Sequence, residues 1–192
     1  MKQRRSVRSF SNKPIPQPVI ENCIKIAASA PSGANMQPWS FVLVKNKNLK
    51  KKIREEAEKV EKIFYTKMVT KEWRNKLEPL STNFRKPFLE EAPYLICVFA
   101  QRYGIDSKGN KVKHYYVNES VGIAVGFLIS ALHQLGIGTL TYTPAPMTFL
   151  SKILKRPVNE RLYIILVVGY PKKNNKPPRL KKKKLDELLT TL

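Results

Sequence analysis

Residues 4–8 read Arg4-Arg5-Ser6-Val7-Arg8. Three guanidinium groups in so short a stretch present forked donors that match phosphate oxygens in pairs. Residues 30–39 run from Ala30-Pro31-Ser32-Gly33-Ala34 to Gln37-Pro38-Trp39. Small side chains at Ser32, Gly33 and Ala34 let a flat ring come close to the backbone. Each segment also has an ordinary reading, as a basic N-terminus and as a turn. In this order, one helix-length apart, they are more specific.

Two further groupings carry chemistry. Glu61 and Tyr65 are four residues apart and share one helix face, and Lys86 follows on a polar segment. An acid, a phenol and a cation on a cover could close over a zwitterion, with Glu61 on an ammonium and Lys86 on a carboxylate. Spacing alone favours a solvated Glu/Lys-rich helix face. Thr141-Tyr142-Thr143-Pro144 stands at a strand end. A hydroxyl there could reach a cofactor ring nitrogen, although β-propensity and a proline stop also explain the run.

Other chemistries are excluded. The chain has no Gly-x-Gly-x-x-Gly after a strand, no Walker lysine motif and no Gly-x-Ser-x-Gly elbow. Phosphate recognition therefore falls to side chains, which suits a mononucleotide cofactor. Cys23 and Cys97 lack metal or disulfide spacing and read as apolar filling. His114 and His133 are too scattered for a metal site, so none is expected.

The elements that must position these residues follow from periodicity. The pattern predicts helices over 16–29, 49–70, 116–135 and 147–154, with a last short helix near Leu185. It predicts strands over 40–44, 93–100, 139–143 and 162–168, and a loop over 102–111. Gly136 ends the third helix as a C-terminal cap. This irregular alternation predicts an α+β fold, in one domain of 192 residues with a cover over about 55–90.

The net charge of +22 favours anionic ligands. Lys172, Lys173, Lys176 and Lys181 to Lys184 carry part of it in a tail expected to lie along another surface. No aromatics interleave with the lysines, so specific nucleic-acid readout is not expected. No apolar run reaches the ~20 residues of a membrane span, nor is there a signal-peptide core. The expectation is a soluble, cytoplasmic protein with no membrane partner.

These motifs resemble the flavin-dependent nitroreductase superfamily. Glu61, Tyr65 and Lys86, with Thr82-Asn83, His114-Tyr115-Tyr116, Thr141 to Pro144, Val168-Gly169-Tyr170-Pro171 and Leu185-Asp186, resemble its iodotyrosine deiodinase branch. The resemblance implies a nitroreductase-like fold, a central mixed sheet flanked by helices, and a homodimer with FMN at the interface. It implies a C-terminal arm embracing the partner subunit. Arg4, Arg5 and Ser6 would hold the FMN phosphate and ribityl chain, and Arg8 would face the flavin pyrimidine. Ser32 and Gly33 would come from the facing subunit. Thr143 would meet flavin N5, with Thr141 and Tyr142 alongside.

The Ala34 backbone N–H would meet the substrate phenolate, while Glu61, Tyr65 and Lys86 close on the zwitterion. Thr143 and Ala34 would be the catalytic contacts. The implied activity is reductive dehalogenation of halotyrosines: iodotyrosine, with bromo- and chlorotyrosine as further candidates. Its electron donor is unidentified, with NAD(P)H-linked supply as the expectation. Two departures stand out. Lys182 occupies a position where arginine serves the FMN phosphate, and Tyr142 stands where threonine is usual. The absence of the animal enzymes' membrane anchor is also expected. The rival readings are an FMN-dependent nitroreductase or quinone reductase using NAD(P)H, and a basic nucleic-acid-binding module.

Overall fold

The computed structural model describes residues 1–80, 82–174, 177, 178 and 180–192. Of the tail lysines named above, Lys176 lies outside the described residues.

Helix α1 (Gln17–Ala28) starts behind Pro16, with Pro18 in its first turn, where a missing N–H costs nothing. It buries Ile20, Cys23 and Ala27 at helical spacing. Strand β1 (Trp39–Val44) follows. Helix α2 (Lys47–Ile63) is capped by Asn46, whose side chain accepts from Leu49 N at 2.9 Å.

The helix predicted over 49–70 does not run through. At Phe64–Met68 it loosens into a π-type turn, with Val69 N donating to Phe64 O at 2.9 Å. Thr66 Oγ1 donates back to Lys62 O at 2.8 Å, a local bond that competes with regular helix. Val69 is extended, and the Thr70 hydroxyl caps a new helix α3 (Lys71–Leu77). Helix α4 (Phe88–Glu91) is a single turn before strand β2 (Tyr94–Gln101).

The segment 102–111, expected as a loop, instead contributes to a hairpin of β3 (Tyr103–Ile105) and β4 (Lys111–Lys113). Asp106 Oδ1 accepts from Lys108 N and Asn110 N and so builds the turn. Strands of three residues are too short to show alternation. His114 Nδ1 lies 2.9 Å from Gln101 O at the hairpin base, which gives that residue a structural place.

Helix α5 (Val117–Gln134) ends in a paired cap: Gly136 N donates to His133 O and Ile137 N to Leu132 O, with Gly136 at φ 71°. Strand β5 (Gly138–Tyr142), helix α6 (Thr148–Ile153) and strand β6 (Glu160–Gly169) complete the body. Near Leu185 the chain makes one 3₁₀ turn, Leu185–Glu187.

The sheet order is β1-β2-β6-β5, with antiparallel ladders throughout. The parallel component is a bridge from Ser6 to Thr139, where Val7 N donates to Thr139 O at 3.0 Å. Gly138 makes this docking possible, because a Cβ there would lie 2.7 Å from Val7 Cγ2. The arginine-bearing arm is thereby fixed along β5.

One face of the sheet packs α1 and α5 through residues such as Cys23, Val121 and Leu128; the other packs α2, α4 and α6 through Ile53, Leu89 and Leu150. Cys23 and Cys97 are buried free thiols, as their apolar setting predicts. No described helix is long and apolar enough to cross a membrane.

Candidate active site

The last turn of α2 delivers Glu61, and the π-type turn after it delivers Tyr65. Both meet Lys86, which precedes α4. Lys86 Nζ lies 3.1 Å from Glu61 Oε2, with side-chain exposures of 4% and 12%. The ammonium also donates to Thr82 Oγ1 at 3.2 Å and to the Asn83 carbonyl. It lies 5.4 Å from the Tyr65 ring centre. A buried ammonium persists only with such partners. Burial lowers the Lys86 pKa, against the opposing pull of Glu61. Burial likewise raises the Tyr65 phenol, with Glu61 adding to it.

The three groups line a cleft of about 230 Å³. Phe64 and Trp73, edge to face at 4.8 Å, belong to its wall. The end of β5 forms another side through Leu140, Thr141, Tyr142 and Thr143. Thr141 and Thr143 are exposed, whereas Tyr142 is buried.

A second network, with no signal in the sequence beyond the i,i+4 spacing of Arg54 and Glu58, sets the height of Lys86. The Lys86 backbone N donates to Glu58 Oε1 at 2.7 Å. Glu58 Oε2 meets Arg54 Nη1 at 2.9 Å, and Arg54 Nε meets Glu90 Oε2 at 2.7 Å. Lys50 adds a tie from α2 to the end of α4, donating to the Glu90 carbonyl at 3.0 Å and to that of Ala92.

Beside this cleft lies another, of about 190 Å³, bordered by Arg4, Arg5, Ser6, Arg8 and Lys182. Arg8 and Leu80 border both clefts, so the two adjoin. Arg5 Nη1 rests on the carbonyls of Lys2 and Arg4. Four cations and a hydroxyl, with no carboxylate among the described lining residues, form a donor set that fits a phosphate ester. Partial burial lowers the Arg8 pKa.

Ser32, Gly33 and Ala34 stand apart from both clefts. Gly33 N donates to Ser120 Oγ of α5 at 3.3 Å, and a Cβ on Gly33 would lie 2.9 Å from Tyr116 Cδ2. Ala34, Asn35 and Gln37 all take left-handed φ, at 49°, 54° and 47°. Three non-glycine residues held so are strained, a condition that concentrates at functional sites. One chain thus gathers Arg4, Arg5, Ser6, Arg8, Lys182 and Thr143 with Glu61, Tyr65 and Lys86, but not the 32–34 turn. Beside that turn the surface is apolar, with Tyr115, Tyr116, Ile123 and Phe127 exposed along the start of α5.

The layered α+β fold and the phosphate-fitting cradle agree with a match to the description "Nitroreductase family" over residues 1–170, and the chain belongs to that family. Within it, the chain is 51% identical over 183 residues to iodotyrosine deiodinase of Haliscomenobacter hydrossis, covering 95% of this chain and 82% of that one. It is 46% identical over 190 residues to iodotyrosine deiodinase of Hydra vulgaris, covering 98% and 70%. A crystal structure of oxidized iodotyrosine deiodinase bound to FMN and 3-iodo-L-tyrosine superposes with a TM-score of 0.85 at 36% identity, covering 99% of this chain and 97% of that one.

Proposed function

We propose that this chain is an FMN-dependent oxidoreductase that removes halide from halotyrosines, releasing tyrosine. The observation that carries the reading is the buried Lys86–Glu61 pair in a cleft adjoining the arginine cradle. A cation and an anion face each other in a cleft walled by aromatic rings, which is the complement of an aromatic amino acid's charged end. The similarity to iodotyrosine deiodinases over nearly the whole chain supports the same substrate class.

Arg4, Arg5, Ser6 and Lys182 would hold the FMN phosphate and ribityl chain, with Arg8 toward the pyrimidine and Thr141 and Thr143 beside the ring. Lys182 supplies charge without a fork, so that contact is geometrically looser than arginine's. FMN bound there in reduced form is the source of the two electrons that, with one proton, convert a carbon–halogen bond into carbon–hydrogen and halide. Glu61 takes the substrate ammonium, Lys86 its carboxylate, and Tyr65 closes from above. The segment from about 55 to 90 acts as a lid that excludes water once these bonds form. Left-handed Ala34 presents its N–H to the substrate phenolate, where donors are most useful.

That last contact needs a second subunit, since the 32–34 turn lies away from the clefts of its own chain. We therefore include a homodimer in the reading, joined through the apolar start of α5 and the exposed leucines Leu185, Leu188 and Leu189. The electron donor is unidentified, with an NAD(P)H-linked supply as the expectation.

The test is anaerobic single turnover. Protein reduced to the two-electron state is mixed with diiodotyrosine, and flavin reoxidation is followed with iodide release. Equal yields of both are expected. Reoxidation by a nitroaromatic with none by diiodotyrosine would identify a nitroreductase instead.

A further inference from the structure

The Tyr142 side chain is 7% exposed, and its hydroxyl is buried with no hydrogen-bond partner among the described residues. An orphaned phenol is costly, and native chains seldom keep one without a use. Its surroundings indicate the use. Alternation along β5 sends Leu140 and Tyr142 toward α2 and α4, into the layer with Ile53 and Leu89. The ring meets Phe88 edge to face at 5.7 Å, and Lys86 Nζ lies 5.8 Å from its centre. Tyr142 thus sits with the clamp rather than flat beside the cofactor cradle. Burial, then the nearby Glu61 charge and contact with its carboxylate, push its ionisation far upward, so the proton stays on and the group is a donor. Glu61, in turn, has its Oε2 on Lys86, and its carboxylate lies close to the Tyr142 hydroxyl.

From this we infer that Tyr142 is a fourth member of the clamp: when a bound amino acid's carboxylate draws the Lys86 ammonium away, Tyr142 Oη donates to the Glu61 carboxylate in its place. The inference rests on the deiodinase reading above. Lys86 cannot serve two carboxylates equally, and Glu61 needs a partner that fixes its orientation. A neutral donor is suited to this, because it adds no positive charge to compete with the substrate ammonium for Glu61. Tyr142 then acts through Glu61, as a positioning residue.

The test compares the FMN-loaded protein with Tyr142→Phe, which deletes only the hydroxyl. Binding of 3-iodo-L-tyrosine is read by quenching of flavin fluorescence, beside FMN content and thermal melting. The decarboxylated analogue 3-iodotyramine is titrated in parallel. The expected result is a Kd for iodotyrosine raised about tenfold. FMN content should be unchanged, the melting temperature no lower, and the analogue's affinity unaltered, since it brings no carboxylate to draw Lys86 from Glu61. An iodotyrosine Kd raised less than threefold overturns the assignment. So does a lowered melting temperature, which would mean that the hydroxyl has a structural partner, or loss of FMN, which would place it at the cofactor. An equal effect on the analogue would mean that the hydroxyl acts without Lys86 leaving Glu61 and would also overturn it. A parent protein that iodotyrosine fails to quench sinks the deiodinase reading, and the assignment with it.

Discussion

Lys86 Nζ and Glu61 Oε2 stand 3.1 Å apart in the substrate-free protein, so the clamp is paired with itself before it meets a ligand. A zwitterion inserted between them replaces one ion pair with two and leaves no charge over. A ligand with only one of the two charges leaves a buried clamp residue unpaired, a cost of several kcal/mol in the usual case. On the proposed reading, the pair would select for the complete amino acid end.

Lys86→Ala is accordingly expected to raise the Kd for 3-iodotyrosine by about a hundredfold, on the scale of truncating one partner of a buried charge pair. FMN binding, which the proposed reading assigns to the arginine cradle, should persist. Nitroaromatic reduction, which makes no demand on a zwitterion site, should change less than threefold. Steady-state kinetics with both substrates, beside the flavin spectrum, reads all three.

The Glu58 relay predicts a different signature. Its carboxylate holds the Lys86 backbone N–H at 2.7 Å and is itself held by Arg54. Glu58→Ala removes the acceptor from a half-buried N–H and should lower stability by about 1–3 kcal/mol. It should also raise KM for halotyrosine several-fold with little change in kcat, because Lys86 keeps its charge but loses its seat. Chemical denaturation and KM against kcat separate the two effects.

Much of this site was legible in the sequence, and the reasons differ from part to part. The arginine arm was readable because it is contiguous, and Glu61 with Tyr65 because they share a helix face. The Glu58–Arg54–Glu90 relay was not, since Arg54 and Glu90 are joined only by the packing of α2 on α4. The break after Ile63 was hidden because charged and apolar residues keep helical spacing through the π-type turn. The hairpin at Tyr103–Lys113 was missed because strands of three residues carry no period. Tyr142 was placed alongside the cofactor by the resemblance, and strand alternation turns its side chain toward the layer of Ile53 and Leu89.

Burial of Cys97 sets a stability limit at alkaline pH. Its thiol is pushed from 9.0 up to about 12 by desolvation alone. The unfolded chain loses this proton above about pH 9 and the folded chain keeps it, so the folded state binds more protons in that window. Stability is then present below pH 9 and falls as pH rises toward 12, by about 1.4 kcal/mol per pH unit for this group. The raised phenols of Tyr65 and Tyr142 act in the same direction at higher pH. Cys97→Ala should cost about 1 kcal/mol at neutral pH through the small cavity left behind. It should also make the alkaline decline shallower, as urea midpoints between pH 8 and 11 would report.

The exposed start of α5 carries the last expectation. Ile123 and Phe127 are more than two-fifths exposed on a helix whose opposite side is core, and Tyr116 beside the strained 32–34 turn is 72% exposed. A patch of this kind, running from the residue before α5 to the middle of the helix, is typical of an interface. Phe127→Glu places a carboxylate in it, and burying that charge without a partner costs more than a single contact returns. Light scattering should show the parent as a dimer and the variant as a monomer with unchanged far-ultraviolet circular dichroism. The monomer should also lose most of its FMN, because the facing turn at Ser32 and Gly33 is no longer supplied. A monomeric variant that retains stoichiometric flavin would mean that each chain holds the cofactor with its own arginine arm alone.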